Sequence, residues 1–298
     1  MVRSLWMMLP IVAVAKTQYR DIGQVTREKY RNASWYFDAF GLPEIVARKP
    51  NGLSIAFIGD SVSRNQMQFL CDVLGSPPVE VRHGLVCRGR GVFCALRVFD
   101  GGNDPWHMSS AGEVLKSLAR NIPTGPGRFD AVYFGSTALH MLQLLPAVRW
   151  RAWSVARSLE VDLASALEAI PRCPVFTTAN WLCSNKFFLR PELPFGKILN
   201  KAARNTSYFK SECAAATESK AEAALCRDLT FTTGGSERAN ALERAAVKAA
   251  GPLRVVDSYA MTRDQCWATS DGIHYMPLLP YRVASLLAHV RDCLDDDS

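Results

Sequence analysis

The 298-residue chain lacks the features that would place it among repeat, disordered or nucleic-acid-binding proteins. It has no low-complexity block and no internal repeat with a period of about 20–50 residues. Its Lys and Arg residues, which produce a net charge of +7, are spread along the chain. Because nucleic-acid binding needs clustered basic residues with interleaved aromatics, we expect no nucleic-acid partner. The 48% hydrophobic and 21% charged residues are those of an ordinary globular core.

The chain also lacks a metal-binding motif. Its nine cysteines and five histidines include no C-x-x-C pair and no histidine at finger-like spacing from a cysteine pair, so we predict no structural zinc. In an oxidising compartment several cysteines should pair, although spacing does not define the connectivity. Cys87 with Cys94, and Cys213 with Cys226, are plausible pairs because each closes a short loop. The odd count leaves at least one thiol free or in an intermolecular bond.

The apolar stretch at the N-terminus is shorter than the roughly 20 residues that a membrane-spanning helix needs. It begins after the basic start Met1-Val-Arg3 and ends in Ala13-Val-Ala15, which has the small-x-small form of a signal-peptidase site. We predict a signal peptide over residues 1–15; a short uncleaved anchor or a buried N-terminal element is the alternative. In a secretory protein the sequons at Asn32 and Asn205 would be usable glycan acceptors.

Short apolar runs alternate with helical patterns in the rest of the chain, which predicts a parallel sheet covered on both faces. Strands are predicted over residues 53–58, 79–81, 93–99, 131–134, 175–178 and 253–256. Helices are predicted over residues 63–74, 113–118, 150–170, 236–250 and 281–294, with a Gly/Arg-rich loop over 82–92 and an irregular or helical stretch over 187–234. Residues 16–50 are predicted to be a lead-in that packs against a single domain over residues 51–298.

The first candidate for chemistry is the serine that follows the first predicted strand, in Gly59-Asp60-Ser61. Gly59 allows a tight strand-to-helix turn, and the free N–H groups of the following helix face that turn. A serine there can attack a carbonyl carbon while its own backbone N–H receives the oxyanion. The alternative is that Ser61 only caps the helix.

The candidate partners of this serine lie near the C-terminus, in Asp271-Gly272-Ile273-His274. A neutral histidine accepts a serine proton only if its other nitrogen is held and its imidazolium form is stabilised. Asp271 can reach Nδ1 of His274 because Gly272 permits a bend. The alternative is a helix-capping aspartate beside an incidental histidine.

A third segment follows the strand predicted over residues 131–134. Backbone or hydroxyl groups of Gly135, Ser136 and Thr137 could supply further oxyanion donors, with His140 close behind them. An ordinary strand-to-helix loop is an equal alternative. Since functional groups gather at the carboxyl ends of parallel strands, we expect these three segments and residues 180–183, which follow the strand predicted over residues 175–178, to converge. His289 falls inside the closing helix and is expected to be structural.

These motifs carry a resemblance to a known family. Ile58-Gly-Asp-Ser61, followed by Arg64-Asn-Gln66 and later by Asp271-x-x-His274, resembles the PC-esterase group of the SGNH hydrolase-like superfamily. That group includes plant trichome-birefringence-like polysaccharide O-acetyltransferases and relatives of the sialic-acid O-acetyltransferase. The resemblance covers about residues 53–293. The segment after residue 134 departs from it, since Gly135-Ser-Thr-Ala-Leu-His140 stands where the superfamily usually has a Gly and an Asn, or Gly-His-Trp in plants.

The resemblance implies a fold, a setting and a site. The fold is a flavodoxin-like three-layer α/β/α sandwich with a mainly parallel sheet, and the setting is the secretory pathway, either the Golgi lumen or the cell exterior. Ser61 is the implied nucleophile, His274 the general base and Asp271 the residue that orients it. The candidate oxyanion or substrate-positioning residues are Gly59, Asp60, Arg64, Asn65, Gly135, Ser136 and His140.

The expected function is transfer of an O-acyl group, above all acetyl, to a glycan, or its hydrolysis from one, through an acyl-serine intermediate. No metal or bound cofactor is expected, because the acyl donor is a co-substrate. The expected partners are a glycan or other hydroxyl-bearing acceptor and a membrane protein, or a soluble donor, that supplies the acyl group. The alternatives are a non-catalytic glycan-binding or structural protein that keeps the fold, and a lipid esterase.

Overall fold

A seven-stranded sheet organises the protein. The computed structural model describes residues 34–81, 84–99, 110–120, 128–135, 159–170, 172–188, 197, 200, 209–229 and 232–296. Within these ranges the strands are β1 (Leu53–Gly59), β2 (Val79–Val81), β3 (Gly84–Gly89), β4 (Val92–Val98), β5 (Ala131–Gly135), β6 (Pro174–Thr177) and β7 (Arg254–Val256). They lie in the order β2-β3-β4-β1-β5-β6-β7. The predicted α/β class with a mostly parallel sheet is confirmed.

The parallel part of the sheet is its centre and one edge. Strand β1 pairs in parallel with β4 and β5, and the parallel pairing continues through β6 to β7, whereas β2, β3 and β4 are antiparallel. Ile55 and Phe57 of β1 contribute to the core on one face, and Ala56 and Ile58 to the core on the other. Burial on both faces explains why β1 shows little polar alternation in the sequence.

Helices cover both faces of the sheet. They are α1 (Ser34–Ala39), α2 (Leu42–Ala47), α3 (Ser61–Val73), α4 (Ala111–Ala119), α5 (Leu159–Ala169), α6 (Phe209–Ala216), α7 (Lys220–Asp228), α8 (Thr233–Ala250), α9 (Ser258–Thr262) and α10 (Leu279–Asp296). Short 3₁₀ helices span Cys266–Ala268 and Met276–Leu278. Helices α1, α2, α3 and α10 pack on one face, and α4, α5 and α8 on the other.

Two local predictions are corrected by the structure. Residues 82–92 contain strand β3, which forms a hairpin with β4 through a turn at Arg90 and Gly91, both with positive φ. Only Leu85 and Cys87 of β3 are buried, so its apolar alternation is too short to stand out from the glycines and arginines around it. Helix α3 begins at Ser61, two residues earlier than predicted. The helix predicted over residues 150–170 is described only from Leu159 onwards.

Four disulfides join the described cysteines: Cys71–Cys87, Cys173–Cys293, Cys183–Cys266 and Cys213–Cys226. The predicted Cys213–Cys226 pair is confirmed, whereas the Cys87–Cys94 pair is wrong. Cys87 and Cys94 are opposite each other in the β3–β4 ladder, but Cys87 bonds to Cys71 on α3, which packs over it. Cys94 keeps a buried free thiol, and burial raises its pKa. Four disulfides are consistent with a secreted or lumenal protein.

The predicted N-terminal features fall mostly outside the described residues. The predicted signal peptide over residues 1–15 and the sequons at Asn32 and Asn205 belong to the undescribed ranges. In the ranges given above, no helix is both long enough and apolar enough to cross a membrane.

Candidate active site

A chain of two hydrogen bonds links Ser61, His274 and Asp271. The hydroxyl Oγ of Ser61 lies 2.7 Å from Nε2 of His274. The other ring nitrogen of His274, Nδ1, lies 2.6 Å from Oδ2 of Asp271. The sequence predicted this contact, and the structure has it. A hydroxyl, an imidazole and a carboxylate in this order can activate the hydroxyl as a nucleophile.

The serine is placed by a strand-to-helix turn. Asp60 caps α3, and its carboxylate accepts the backbone N–H groups of Val62 at 2.8 Å and Ser63 at 3.4 Å. The alternative that Ser61 is the cap is therefore wrong, and Asp60, as an acceptor, positions the turn. Gly59 is needed because a Cβ there would lie 2.2 Å from Oγ of Ser63.

The carboxylate of Asp271 is held through both of its oxygens. While Oδ2 contacts the imidazole, Oδ1 accepts the backbone N–H groups of Ile273 at 3.0 Å and His274 at 2.9 Å. The hydroxyl of Thr269 lies 3.2 Å from the same oxygen. The Asp271 side chain therefore forms a turn with the backbone of the next residues, and this turn fixes the loop that carries His274. It does not cap a helix.

These contacts decide the protonation state of Asp271. Burial disfavours its charged form, but hydrogen bonds from the His274 side chain, the charge of that ring and the two backbone N–H groups outweigh burial and lower the pKa from 3.8 to about 2. The carboxylate is ionised at neutral pH and can only accept hydrogen bonds. The proton of a neutral His274 is then on Nδ1, which leaves Nε2 free to accept the proton of Ser61.

Residues 269–275, called the base loop from here on, lie against residues 178–188, called the bracing segment. Gly272 has φ +82°, and a Cβ there would lie 2.6 Å from the carbonyl oxygen of Cys183, so both backbone conformation and space require glycine. The N–H of Cys183 donates to the carbonyl of Gly272 at 3.0 Å, and the N–H of Phe188 donates to that of Asp271 at 3.3 Å. The Cys183–Cys266 disulfide joins the bracing segment to the chain just before the base loop.

A small pocket lies beside the nucleophile turn, at the carboxyl ends of β1, β5 and β6. It is lined by Gly59, Asp60, Val62, Ser63, Gly135, Thr177, Thr178, Ala179 and Asn180. Gly135 thus lies close to the Ser61 turn, as the predicted convergence of strand ends requires. The pocket offers room for a small group next to the start of α3.

The remaining candidate residues have mixed outcomes. Arg64 and Asn65 lie half-buried on the first turn of α3, close to Ser61 in sequence and space. Ser136 and His140 fall outside the described residues, so their predicted roles stay predictions. His289 lies 3.1 Å from the carbonyl of Val255 through its Nε2, as suits a structural residue. No cluster of His, Cys, Asp and Glu suited to a metal ion occurs among the described side chains.

The sequence does not identify Asn180 and Arg282, two buried polar residues behind the base loop, as site residues, although residues 180–183 are among the segments expected to converge. Asn180 follows a predicted strand and Arg282 lies inside a predicted helix, but neither belongs to a motif. Comparison with protein-family models and with curated proteins finds no match for the chain.

Proposed function

We propose that this protein is a serine-dependent O-acyltransferase or carboxylic ester hydrolase that acts on glycans, with acetyl as the acyl group. One observation carries the proposal, namely the hydrogen-bonded chain from Ser61 through His274 to Asp271 at the start of a helix. Acyl transfer is the chemistry for which a nucleophile, a base and an orienting carboxylate suffice. The PC-esterase resemblance of the Ser61 and His274 motifs supports the same conclusion and the assignment to an SGNH-like sandwich.

The first half of the proposed reaction forms an acyl-serine. Oγ of Ser61 attacks the carbonyl carbon of the donor while its proton passes to Nε2 of His274, and the carbonyl oxygen becomes an oxyanion. In this proposal the backbone N–H of Ser61, at the positive end of α3, donates to that oxyanion. The intermediate then breaks the bond to the leaving group, which takes the proton from His274.

The second half returns the enzyme to its starting state. A sugar hydroxyl, or water in hydrolysis, gives its proton to His274 and attacks the acyl-serine. The new intermediate expels Oγ of Ser61, which takes back the proton. Asp271 stays ionised throughout and stabilises the imidazolium. The acyl group is the only part transferred, so a donor has to be supplied as co-substrate, by a membrane partner or in soluble form.

The setting and the acyl size of the proposal have separate support. Four disulfides favour a secretory location, including the Golgi lumen and the cell exterior. The choice of acetyl follows from the family resemblance, since the lining of the small pocket includes neither Ser61 nor His274. The glycan acceptor follows only from the family resemblance.

The test compares wild type with Ser61→Ala in hydrolysis of several acetylated sugars and in trapping of the acyl group by intact-protein mass spectrometry. We expect Ser61→Ala to lose activity by a factor of at least about 10³ and to carry no acyl adduct, because no other hydroxyl occupies its place. His274→Gln should behave similarly. His289→Gln is the matched control, since the ring Nε2 of His289 lies beside the Val255 carbonyl, and should retain activity.

Two other outcomes would support the alternatives. Equal rates for wild type and Ser61→Ala would contradict the proposal and leave a non-catalytic glycan-binding or structural protein. A preference for long chains in a series of nitrophenyl esters would instead indicate a lipid esterase.

A further inference from the structure

A buried arginine lies behind the base loop. Arg282, near the start of α10, is 1% exposed. One of its guanidinium N–H groups donates to Oδ1 of Asn180. Within the described ranges it forms no ion pair with a carboxylate, and its Nε has no hydrogen-bond partner. Burial lowers the pKa of Arg282 to about 10, so it is still charged at neutral pH.

The buried charge of Arg282 stabilises the folded protein less than an apolar side chain at the same position would. Transfer of a guanidinium out of water is costly, and a methionine of similar volume would occupy the same space without that cost. The described contact that gives Arg282 a polar role is the one with Asn180. Asp60, at the cap of α3, favours the charged state through a longer-range attraction.

The contact with Arg282 fixes the orientation of the Asn180 amide. A guanidinium has donors only, so it has to face the oxygen of the amide and not its nitrogen. Nδ2 of Asn180 is thereby turned towards the base loop, where it donates to the carbonyl of Ile273 at 2.7 Å. Asn180 is 2% exposed, so water does not compete for this bond.

Tyr275, the residue after His274, is also held by a hydrogen bond to the bracing segment. The hydroxyl of Tyr275 donates to the carbonyl of Trp181 at 2.8 Å. Both neighbours of His274 in sequence are thus bonded to consecutive residues of the bracing segment. Displacement of the His274 backbone relative to the bracing segment would have to stretch one of these two bonds.

We propose that Arg282 is a positioning residue for the acyl transfer, acting through Asn180 on the Ile273 carbonyl and so on the place of His274. The inference rests on the proposed function. Arg282 is buried and touches neither substrate nor the reacting atoms. Its loss should therefore slow the attack by Ser61 and leave substrate binding unchanged, because a misplacement of about 1 Å at a catalytic group can cost a factor of about 10².

The experiment measures labelling of Ser61 in the full chain by a fluorophosphonate, a reagent that reacts with activated serines. Saturation kinetics separate the maximal labelling rate from the reagent concentration at half-saturation. For Arg282→Met we expect the maximal rate to fall about 10- to 100-fold, with half-saturation within about twofold and a melting temperature close to that of wild type, because removal of the buried charge offsets the loss of a partner for Oδ1 of Asn180. Arg282→Lys, which keeps a donor, should recover part of the rate.

Two further variants separate positioning from folding. Asn180→Asp can still pair with Arg282 but presents an acceptor to the Ile273 carbonyl, so it should fold and label as slowly as Arg282→Met. Leu286→Ala opens a cavity on the same helix but keeps Arg282 and Ile273 as partners of Asn180, and should lower the melting temperature while the maximal rate stays at the wild-type value.

An unchanged maximal rate in folded Arg282→Met would overturn the inference, and if that variant does not fold, an unchanged rate in Asn180→Asp would do so. A wild type that is not labelled at Ser61 would overturn the proposed function itself, and this inference with it.

Discussion

Among single residues, Asp271 is the one whose charge state the structure defines most completely. Its two oxygens accept hydrogen bonds from the imidazole and from two backbone N–H groups, and its pKa falls to about 2. A carboxyl that is more acidic in the folded chain than in the unfolded chain stabilises the folded state only while it is ionised. The same contacts that orient His274 therefore link the stability of the protein to pH.

The sign of this linkage gives a prediction for Asp271→Asn. The contribution of Asp271 is fully present above the unfolded pKa of 3.8 and is lost as the pH falls through about 2. The difference in free energy of unfolding between wild type and Asp271→Asn should thus be constant above about pH 5 and shrink between about pH 4 and pH 2. Urea unfolding at pH 7, 5, 4, 3 and 2 measures it.

The expected effect is small, because one third of the Asp271 side chain is exposed and water screens its interactions. The test therefore depends on how the difference in unfolding free energy changes with pH, and not on its size. A difference between the two proteins that stays the same from pH 5 to pH 2 would show that Asp271 is not held as an ionised group.

Between elements, the base loop depends on its covalent and hydrogen-bonded attachment to the bracing segment. The loop has no strand or helix of its own apart from the 3₁₀ turns that flank it. The Cys183–Cys266 disulfide closes a separation of 83 residues and joins the bracing segment, at the residue that bonds to Gly272, to the chain just before the base loop. This disulfide should therefore affect catalysis as well as stability.

Two double variants, each lacking one disulfide, test this prediction. Replacing Cys183 and Cys266 by serine should cost about 4.5 kcal/mol of unfolding free energy from loop entropy, and replacing Cys213 and Cys226, which are 13 residues apart, about 3 kcal/mol. Only the first double variant should slow the labelling of Ser61 in protein that remains folded, because the second disulfide joins α6 to α7 and not the base loop. Equal labelling rates of Ser61 in the two double variants would contradict the proposed role of the Cys183–Cys266 disulfide in catalysis.

The elements themselves differ in how far the sequence predicts them. Strand β1 and helix α3 are predictable because an apolar run, a turn glycine and a helical pattern are local signals. Strand β3 is not, since its two buried residues give too little periodicity. The convergence of residues 180–183 with the base loop is predictable from the order of strands and loops, but the individual contacts behind the loop are not. Asn180 bonds to Ile273 over 93 residues and Arg282 bonds to Asn180 over 102, and no local pattern reports such distances.

For the whole molecule, the structure places the site at the end of the central strand, where both cores meet the nucleophile turn. The predicted lead-in is part of this arrangement. Leu42 and Ile45 of α2 are fully buried in the same core as Ile55 and Phe57 of β1. A boundary at residue 50 therefore runs through one hydrophobic core, and residues 34–50 should unfold together with the sheet.

This continuity can be tested with truncations on opposite faces of the sheet. Leu42→Ala on α2 and Leu163→Ala on α5 each remove a side chain with no exposed surface, and each should cost about 2–5 kcal/mol of unfolding free energy. Val161→Ala is the matched control on α5, because Val161 is 58% exposed, and should change stability by less than about 0.5 kcal/mol. Guanidinium unfolding, followed by tryptophan fluorescence and by circular dichroism, measures all three.

Both core variants should shift one transition that the two probes report at the same denaturant concentration, since a single cooperative unit has no stable part left when either face loses its packing. The contrary outcome is two separate transitions. If Leu42→Ala shifts only one of them, and Ser61 is still labelled after that transition, then α1 and α2 fold separately from the sheet. The position of Ser61 would then be fixed by the packing of β1, α3 and α10, without a contribution from α1 and α2.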